Sequence, residues 1–409
     1  MSDAPLEPFS LRRDFPMLKL KVHGKPFVYF DSAATALKPQ SVIDTMSRFY
    51  AQEYGTVHRG IYQFAQLATE RYHAARRRVQ AFLHAEHPEE IVFTRGTTDG
   101  INLVARSLGE SYFSPGDEIL LPETEHHSNI VPWQMLQQRL GVRLIPLPVD
   151  DHGVIIYEEF LTRLSPKTKL LSVAHISNFT GAVQPIERLI PILQQRGVLV
   201  LLDAAQSAPH MELDVQQLGV DFLCFSGHKA FGPTGIGVLY GKKKLLDQMP
   251  PIQGGGDMIE EVRWEGSSYQ EAPLKFEAGT PMIAEVMGLS AALDWIDQVG
   301  RKKIERYEKE LLLYATEGLK QISQVRILGE AAQKGAILSF TCPGIHPLDL
   351  GTLLDLEGFA LRTGHLCTQI GMERFGIKSA LRLSFAPYNT QQEIDRFFQA
   401  LVKAMVQLK

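Results

Sequence analysis

The 409-residue chain is 44% hydrophobic, enough to fill a sizeable core and to divide into two or three domains. Its 42 Lys+Arg against 46 Asp+Glu leave a net charge of −4, which argues against a nucleic-acid surface or a polybasic membrane patch and makes a small molecule the default partner. No apolar run reaches the roughly 20 residues of a membrane span, the opening MSDAPLEPFSLRRDF lacks a signal-peptide core, and three scattered cysteines without a CxxC point to neither a disulfide framework nor a zinc knuckle, so the expected location is the cytosol.

In chain order, short apolar runs bounded by turns occupy Glu90–Phe93, Glu118–Leu121, Leu170–Ala174, Val198–Leu202, Phe222–Phe225 and Gly235–Tyr240. Helix-length segments separate most of them. That alternation predicts an α/β domain on a largely parallel sheet, whose ligands sit beyond the carboxyl ends of the strands. From about residue 295 the pattern changes. "AILSFTCP" reads as a strand followed by an apolar helix, and Thr390-Gln-Gln-Glu393 is a capping box ahead of Ile394, Phe397, Phe398, Leu401, Val402 and Met405 at helical spacing. A smaller α+β domain is expected there.

The strand ends carry the chemistry. After "EIVFT", Arg95-Gly-Thr-Thr-Asp-Gly100 opens a helix whose free N–H groups, with Thr97 and Thr98, suit a phosphate; alone, the turn reads as an ordinary threonine cap. After "VLVLL" comes Asp203, with Gln206 a turn further on; alone, Asp203 reads equally as a helix cap. After "DFLCF" comes Ser226-Gly-His-Lys229. Together these form the set that pyridoxal phosphate needs. Lys229 bonds the cofactor, Asp203 keeps the ring nitrogen protonated, Gln206 reaches the phenolate oxygen, Ser226 and His228 complete the phosphate cup, and His126 lies flat on the ring. A metal reading of His126 and His127 is the weaker one, because adjacent imidazoles on a strand point apart, and no metal is expected. Cys224 reads as core filler and Cys342 as structural, whereas Cys367 lies in the glycine-containing loop "RTGHLCTQIG" with Arg362 and His365 beside it.

The segments "YFDSAATALKPQSVID", "GTVHRGIY", "RGTTDGINLVA", "EHHSNIVPWQML", "SNFTGAVQP", "LLDAAQS", "FSGHKAFGPTGIGVLYGK", "QGGGDMI", "FEAGTP" and "RTGHLC" run in order from Tyr29 to Cys367. This set resembles the SufS-type (group II) cysteine desulfurases, pyridoxal phosphate enzymes of class V aminotransferase fold. The resemblance implies a PLP-dependent transferase fold of type I: a large domain over residues 20–294 with a mainly parallel seven-stranded sheet flanked by helices. Residues 1–19 and 295–409 then form the smaller α+β domain carrying the cysteine loop. It further implies that Lys229, Asp203, Gln206 and His126 hold the cofactor as read above, with Thr97, Thr98, Ser226 and His228 at its phosphate. Thr280 would reach the phosphate of a neighbouring subunit in a homodimer with shared sites. Arg382 and Asn178 would hold the substrate, Arg382 as a bidentate clamp on its carboxylate, with His58 and Arg59 lining the substrate entrance and Arg362 also binding substrate. The implied reaction converts L-cysteine to L-alanine, with sulfur passing as a persulfide on Cys367 to a SufE- or SufU-type acceptor, for iron–sulfur cluster assembly. A selenocysteine lyase, a cysteine sulfinate desulfinase or another class V lyase would share everything but dependence on Cys367. The loop reads Arg362-Thr-Gly-His-Leu-Cys-Thr-Gln-Ile370 where the family's usual form is RTGHHCAMP, so Leu366 removes a second histidine and the proline is lost, and Leu381-Arg-Leu-Ser384 stands where CRAS is usual.

Overall fold

The structure is a computed structural model that describes residues 6–408; residues 1–5 and 409, assigned above to the small domain, lie outside the described residues. Seven strands make the large sheet: β1 (Ile91–Thr94), β2 (Glu118–Pro122), β3 (Arg143–Leu147), β4 (Thr168–Ala174), β5 (Leu199–Asp203), β6 (Phe222–Ser226) and β7 (Gly237–Gly241). They lie in the order β1-β7-β6-β5-β4-β2-β3. Strand β7 is antiparallel to both its neighbours, and the remaining pairings are parallel. A sheet covered on both faces needs strands that are apolar throughout, and alternate residues serve opposite layers. In β6, Leu223 and Phe225 enter one core while Phe222 and Cys224 enter the other. Six of the seven strands coincide with the apolar runs of the sequence. The seventh, β3, reads RLIPL; its exposed arginine and its proline hide it from a hydrophobicity reading and are tolerated because it is the sheet's edge.

A second, antiparallel sheet is formed by β8 (Arg326–Leu328), β9 (Ile337–Thr341), β10 (Arg362–Gly364) and β11 (Ala380–Ser384), in the order β8-β9-β11-β10. The helix Gln391–Gln407 starts at the expected capping box. Thr390 Oγ1 accepts the Glu393 N–H at 3.2 Å, and Glu393 Oε2 accepts the Thr390 N–H at 3.0 Å. Its Ile394, Phe397 and Leu401 share a core with Leu338, Phe340, Leu381 and Leu383 of the sheet.

The domain limits read from the sequence cross these cores. The helix Ile283–Val299 runs through the 294/295 division, and its Trp295 and Ile296 are buried in the large-sheet core. Phe15 sits in that core too, edge-on to Trp295 and Tyr388. Conversely, Val28 and Phe30 pack in the small-sheet core, where Val28–Tyr29 pairs in parallel with Phe359–Ala360. Hydrophobic periodicity reports that a face is buried without reporting against which sheet, so such crossings are invisible in one sequence.

Candidate active site

One cavity of about 360 Å³ opens at the carboxyl ends of the large-sheet strands. It is lined by Thr97, Thr98, His126, Asn178, Asp203, Gln206, Ser226, His228, Lys229, Arg362, Cys367 and Arg382, twelve of the fifteen site residues read from the sequence. Strand β1 ends beside the helix Thr97–Ser111, whose first N–H, that of Thr97, donates to Ser226 Oγ at 2.8 Å. The Thr97 and Ser226 hydroxyls are 2.8 Å apart, and Thr98 Oγ1 meets Ser128 Oγ at 2.7 Å. Two glycines allow this corner to close: a Cβ on Gly237 would stand 2.4 Å from Gly96 Cα. Asp203 is the last residue of β5 and accepts the Ala205 N–H on Oδ1 at 2.9 Å, while Gln206 Nε2 donates to Ala33 O at 2.8 Å.

From the small sheet, Arg382 donates to Asn178 O at 2.9 Å and to Asp31 Oδ1 at 3.1 Å. Its Nε is buried with no acceptor among the described residues. The cysteine loop follows β10. Leu366 and Cys367 both take left-handed backbone, at φ 54° and 57°, which costs side-chain-bearing residues energy and must be held from outside. Asn178 Nδ2 donates to Leu366 O at 2.7 Å, and the His127 N–H donates to Cys367 O at 2.8 Å. Leu366 is itself buried in an apolar cluster with Phe179, Met372 and Phe375, which accounts for an apolar residue where the resembling family carries histidine.

Burial governs the charges. It pushes the Lys229 amine down to about 8, helped by Arg382 and opposed by Asp203. It raises Asp203, which Lys229 and the Ala205 N–H pull back. Burial also pushes His126 down to about 3 and His228 down to about 4, with Lys229 adding to both, so both imidazoles are neutral.

Three residues read from the sequence lie outside this cavity within the single chain. Thr280 is exposed beside Tyr72, Arg95 and Glu277 in a separate depression. His58 stacks edge-on to Tyr72, and Arg59 pairs with Asp257 at 3.1 Å.

The comparisons with known proteins bear on this arrangement. Aminotransferase class-V matches residues 28–397. The chain belongs to that family. A probable cysteine desulfurase of Mycolicibacterium paratuberculosis is 47% identical over 96% of this chain and 57% of its own length. A cysteine desulfurase of Pectobacterium carotovorum is 46% identical over 96% of both chains. The crystal structure of the cysteine desulfurase CsdA (S-sulfonic acid) from Escherichia coli superposes with a TM-score of 0.91 at 40% identity, covering 99% of this chain and 100% of that one. The chain spans about three-fifths of the length of several curated relatives it matches. Among the described residues, no helix is long and apolar enough to cross a membrane.

In this class-V chain the donor set fits a phosphorylated pyridine aldehyde. Hydroxyls at a helix N-terminus suit a phosphate, a buried acid with one free oxygen suits a ring N–H, and the amine is available to bond a carbonyl. Sequence reasoning missed several of the cavity's supports. Asp31 lies in the quoted "YFDSAATA" but is joined to Arg382 only by the fold, and Ser128 is part of the hydroxyl cluster. Glu125, one residue from His126, is 1% exposed and accepts from Ala174 N–H and Asn129 Nδ2 at 2.8 and 2.6 Å. Burial raises its carboxyl from 4.5 to about 8 against those two bonds, and Asp203 adds to the rise. Between those values the folded chain keeps a proton that the unfolded chain has released. Glu125 therefore contributes fully below about 4.5, and that contribution is lost as the pH rises through about 8. Glu125→Gln, neutral throughout, should show a Tm that falls less than the parent's between about pH 5 and pH 8. Parallel Tm curves would remove Glu125 from the pH response.

Proposed function

We propose that the protein is a pyridoxal phosphate-dependent cysteine desulfurase, converting L-cysteine to L-alanine and carrying the sulfur away as a persulfide on Cys367. The observation that carries this reading is a half-buried thiol, Cys367, held in the same cavity as Lys229, Asp203 and Arg382. Pyridoxal phosphate, when bound, supplies an electron sink for charge developing on the substrate's α-carbon.

The chain's own residues do the rest. Lys229, with an amine brought to about 8, is unprotonated in a useful fraction near neutral pH and serves as covalent anchor and as the base that moves the α-proton. Asp203 would hold the proton on the ring nitrogen, Gln206 would donate its second amide hydrogen to the ring oxygen, and neutral His126 would face the ring. Thr97, Thr98, Ser226 and His228 would hold the phosphate. Arg382 offers its unpartnered Nε to the substrate carboxylate, assisted by Asn178, with Arg362 at the rim. The Cys367 thiolate attacks the substrate sulfur. A sulfur–sulfur bond forms as the carbon–sulfur bond breaks, the carbon fragment keeps the electron pair and leaves as alanine after protonation, and the persulfide passes to an acceptor thiol.

Thr280, His58 and Arg59, apart from their own chain's cavity, are assigned to the site of a second subunit in a homodimer. A SufE- or SufU-type protein is the acceptor, with iron–sulfur cluster assembly as the destination. Three unbridged cysteines suit the reducing cytoplasm. After brief incubation with L-cysteine and no reductant, mass spectrometry of the peptide holding Cys367 should show one added sulfur, absent from the peptides of Cys224 and Cys342. An unmodified Cys367 peptide alongside alanine formation would overturn the persulfide step.

A further inference from the structure

His127 has no part in the reading above, although it stands beside the cysteine loop. The His126 and His127 imidazoles lie at the start of a 3-10 turn, not on a strand; their rings are 6.3 Å apart, and His126 faces the cavity. What the fold brings to His127 instead is His365, at 5.6 Å between ring centroids, together with the Cys367 thiol. One donor atom from each of His127, His365 and Cys367 lies within 4.8 Å of the other two. We propose that these three residues form a zinc-class metal site, taking one Zn²⁺ through two imidazole nitrogens and the thiolate.

The donor chemistry favours this occupant. Two imidazoles and a thiolate are the ligands that zinc and other borderline-soft cations take, whereas calcium and magnesium require oxygen. Bonds of about 2.0–2.3 Å around a tetrahedral ion put its ligands roughly 3.5 Å apart, so closure needs a shift on the order of 1 Å. His365 is exposed and can swing, while His127 and Cys367 are half-buried. Each imidazole accepts one long backbone bond, from the Cys367 N–H to His365 Nδ1 at 3.2 Å and from the Gln369 N–H to His127 Nε2 at 3.1 Å. A zinc–imidazole bond outweighs a neutral N–H···N bond of that length. The backbone bond from His127 N–H to Cys367 O keeps ligand and loop together while the side chains turn.

With three protein ligands the ion keeps a fourth position for water, and its binding releases the thiol proton. If Cys367 is the sulfur acceptor, an occupied site takes the nucleophile out of the reaction. That consequence rests on the desulfurase reading; the binding does not. The site would let free zinc or a similar soft cation hold the enzyme idle and shield its thiol from oxidation.

The test uses the purified holoprotein without substrate, titrated with Zn²⁺ against a chromophoric chelator, and separately with Co²⁺ as a spectroscopic substitute. Expected are one competing Zn²⁺ per chain and a thiolate-to-cobalt charge-transfer band. Cys367→Ser, His365→Ala and His127→Ala should each bind at least roughly 10-fold more weakly, since loss of a direct ligand costs no less than loss of its support. His73→Ala, at the other close imidazole pair, where His58 and His73 rings stand 5.5 Å apart, should bind as the parent does. Unchanged cofactor colour and Tm in His365→Ala, an exposed position, separate ligand loss from misfolding. Failure of the parent to compete with the chelator, or retention of binding in all three ligand variants, would overturn the site. Neither result would touch the desulfurase reading, which turnover tests separately.

Discussion

Lys229→Ala is expected to lower alanine formation from L-cysteine by at least about 10³-fold, the scale of a lost general base, and to bleach the bound-cofactor absorbance. Lys229 stands in the turn immediately after β6, and the strand geometry aims it into the cavity. Burial brings the amine to about 8, with Asp203 pulling it back up. Among the described residues no other lysine lines the cavity, so no neighbour can substitute. Lys229→Arg should fare no better, because a guanidinium keeps its proton throughout the working range. Tm should distinguish the two: alanine leaves Asp203 buried without its nearest cation, whereas arginine keeps a positive charge there at the cost of crowding. Turnover within a factor of ten of the parent in either variant would contradict the assigned role.

Arg382→Ala should combine a large rise in KM with a loss of stability. The side chain is 3% exposed, and its guanidinium is committed to Asn178 O and Asp31, with Nε left for a ligand. A carboxylate bound by such a buried cation is worth about 2–5 kcal/mol, so KM for L-cysteine should rise by on the order of 30-fold or more. Removing the cation also takes from Asp31 its nearest partner, leaving Arg362 at 4.0 Å; burial already raises that carboxyl and Arg382 holds it back, so the loss should cost stability, up to about 3 kcal/mol. The double variant Asp31→Asn with Arg382→Ala should recover part of the Tm and none of the KM, because the stranded charge is removed while the substrate still lacks its partner. An unchanged KM in Arg382→Ala would assign the arginine to structure alone.

How far the fold could be read from the sequence depends on how local each signal is. Strands β1, β2, β4, β5, β6 and β7 are short, mainly apolar runs, and the polar residues at or just after the ends of β1, β5 and β6 are visible beside them, so Thr97, Asp203, Ser226 and Lys229 could be grouped before any geometry was known. The capping box at Thr390 is four residues long and equally local. Features made by distant pairing were out of reach. Arg382 and Asp31 are 351 residues apart, and the two small-sheet partners Val28–Tyr29 and Phe359–Ala360 are separated almost as widely. Glu125 and His127 flank the histidine that the sequence singled out. Nothing in a run of "ETEHHSN" tells which side chains face the ligand, which are buried against Ala174 and Asn129, and which meet a loop more than two hundred residues on.

The central claim is that Cys367 receives sulfur in a cavity where Lys229 performs the proton chemistry. It is tested most directly by measuring alanine formation from L-cysteine, with a reductant present to discharge the persulfide, in the parent and in Cys367→Ala. Both proteins should show the yellow of the bound cofactor, since Cys367 is not among the residues assigned to the phosphate, the ring nitrogen or the covalent bond. The account predicts steady alanine production by the parent and its collapse in the colour-retaining variant. Equal rates in the two would contradict it, returning Cys367 to a structural position in the loop and moving the function to a class-V lyase that needs no thiol.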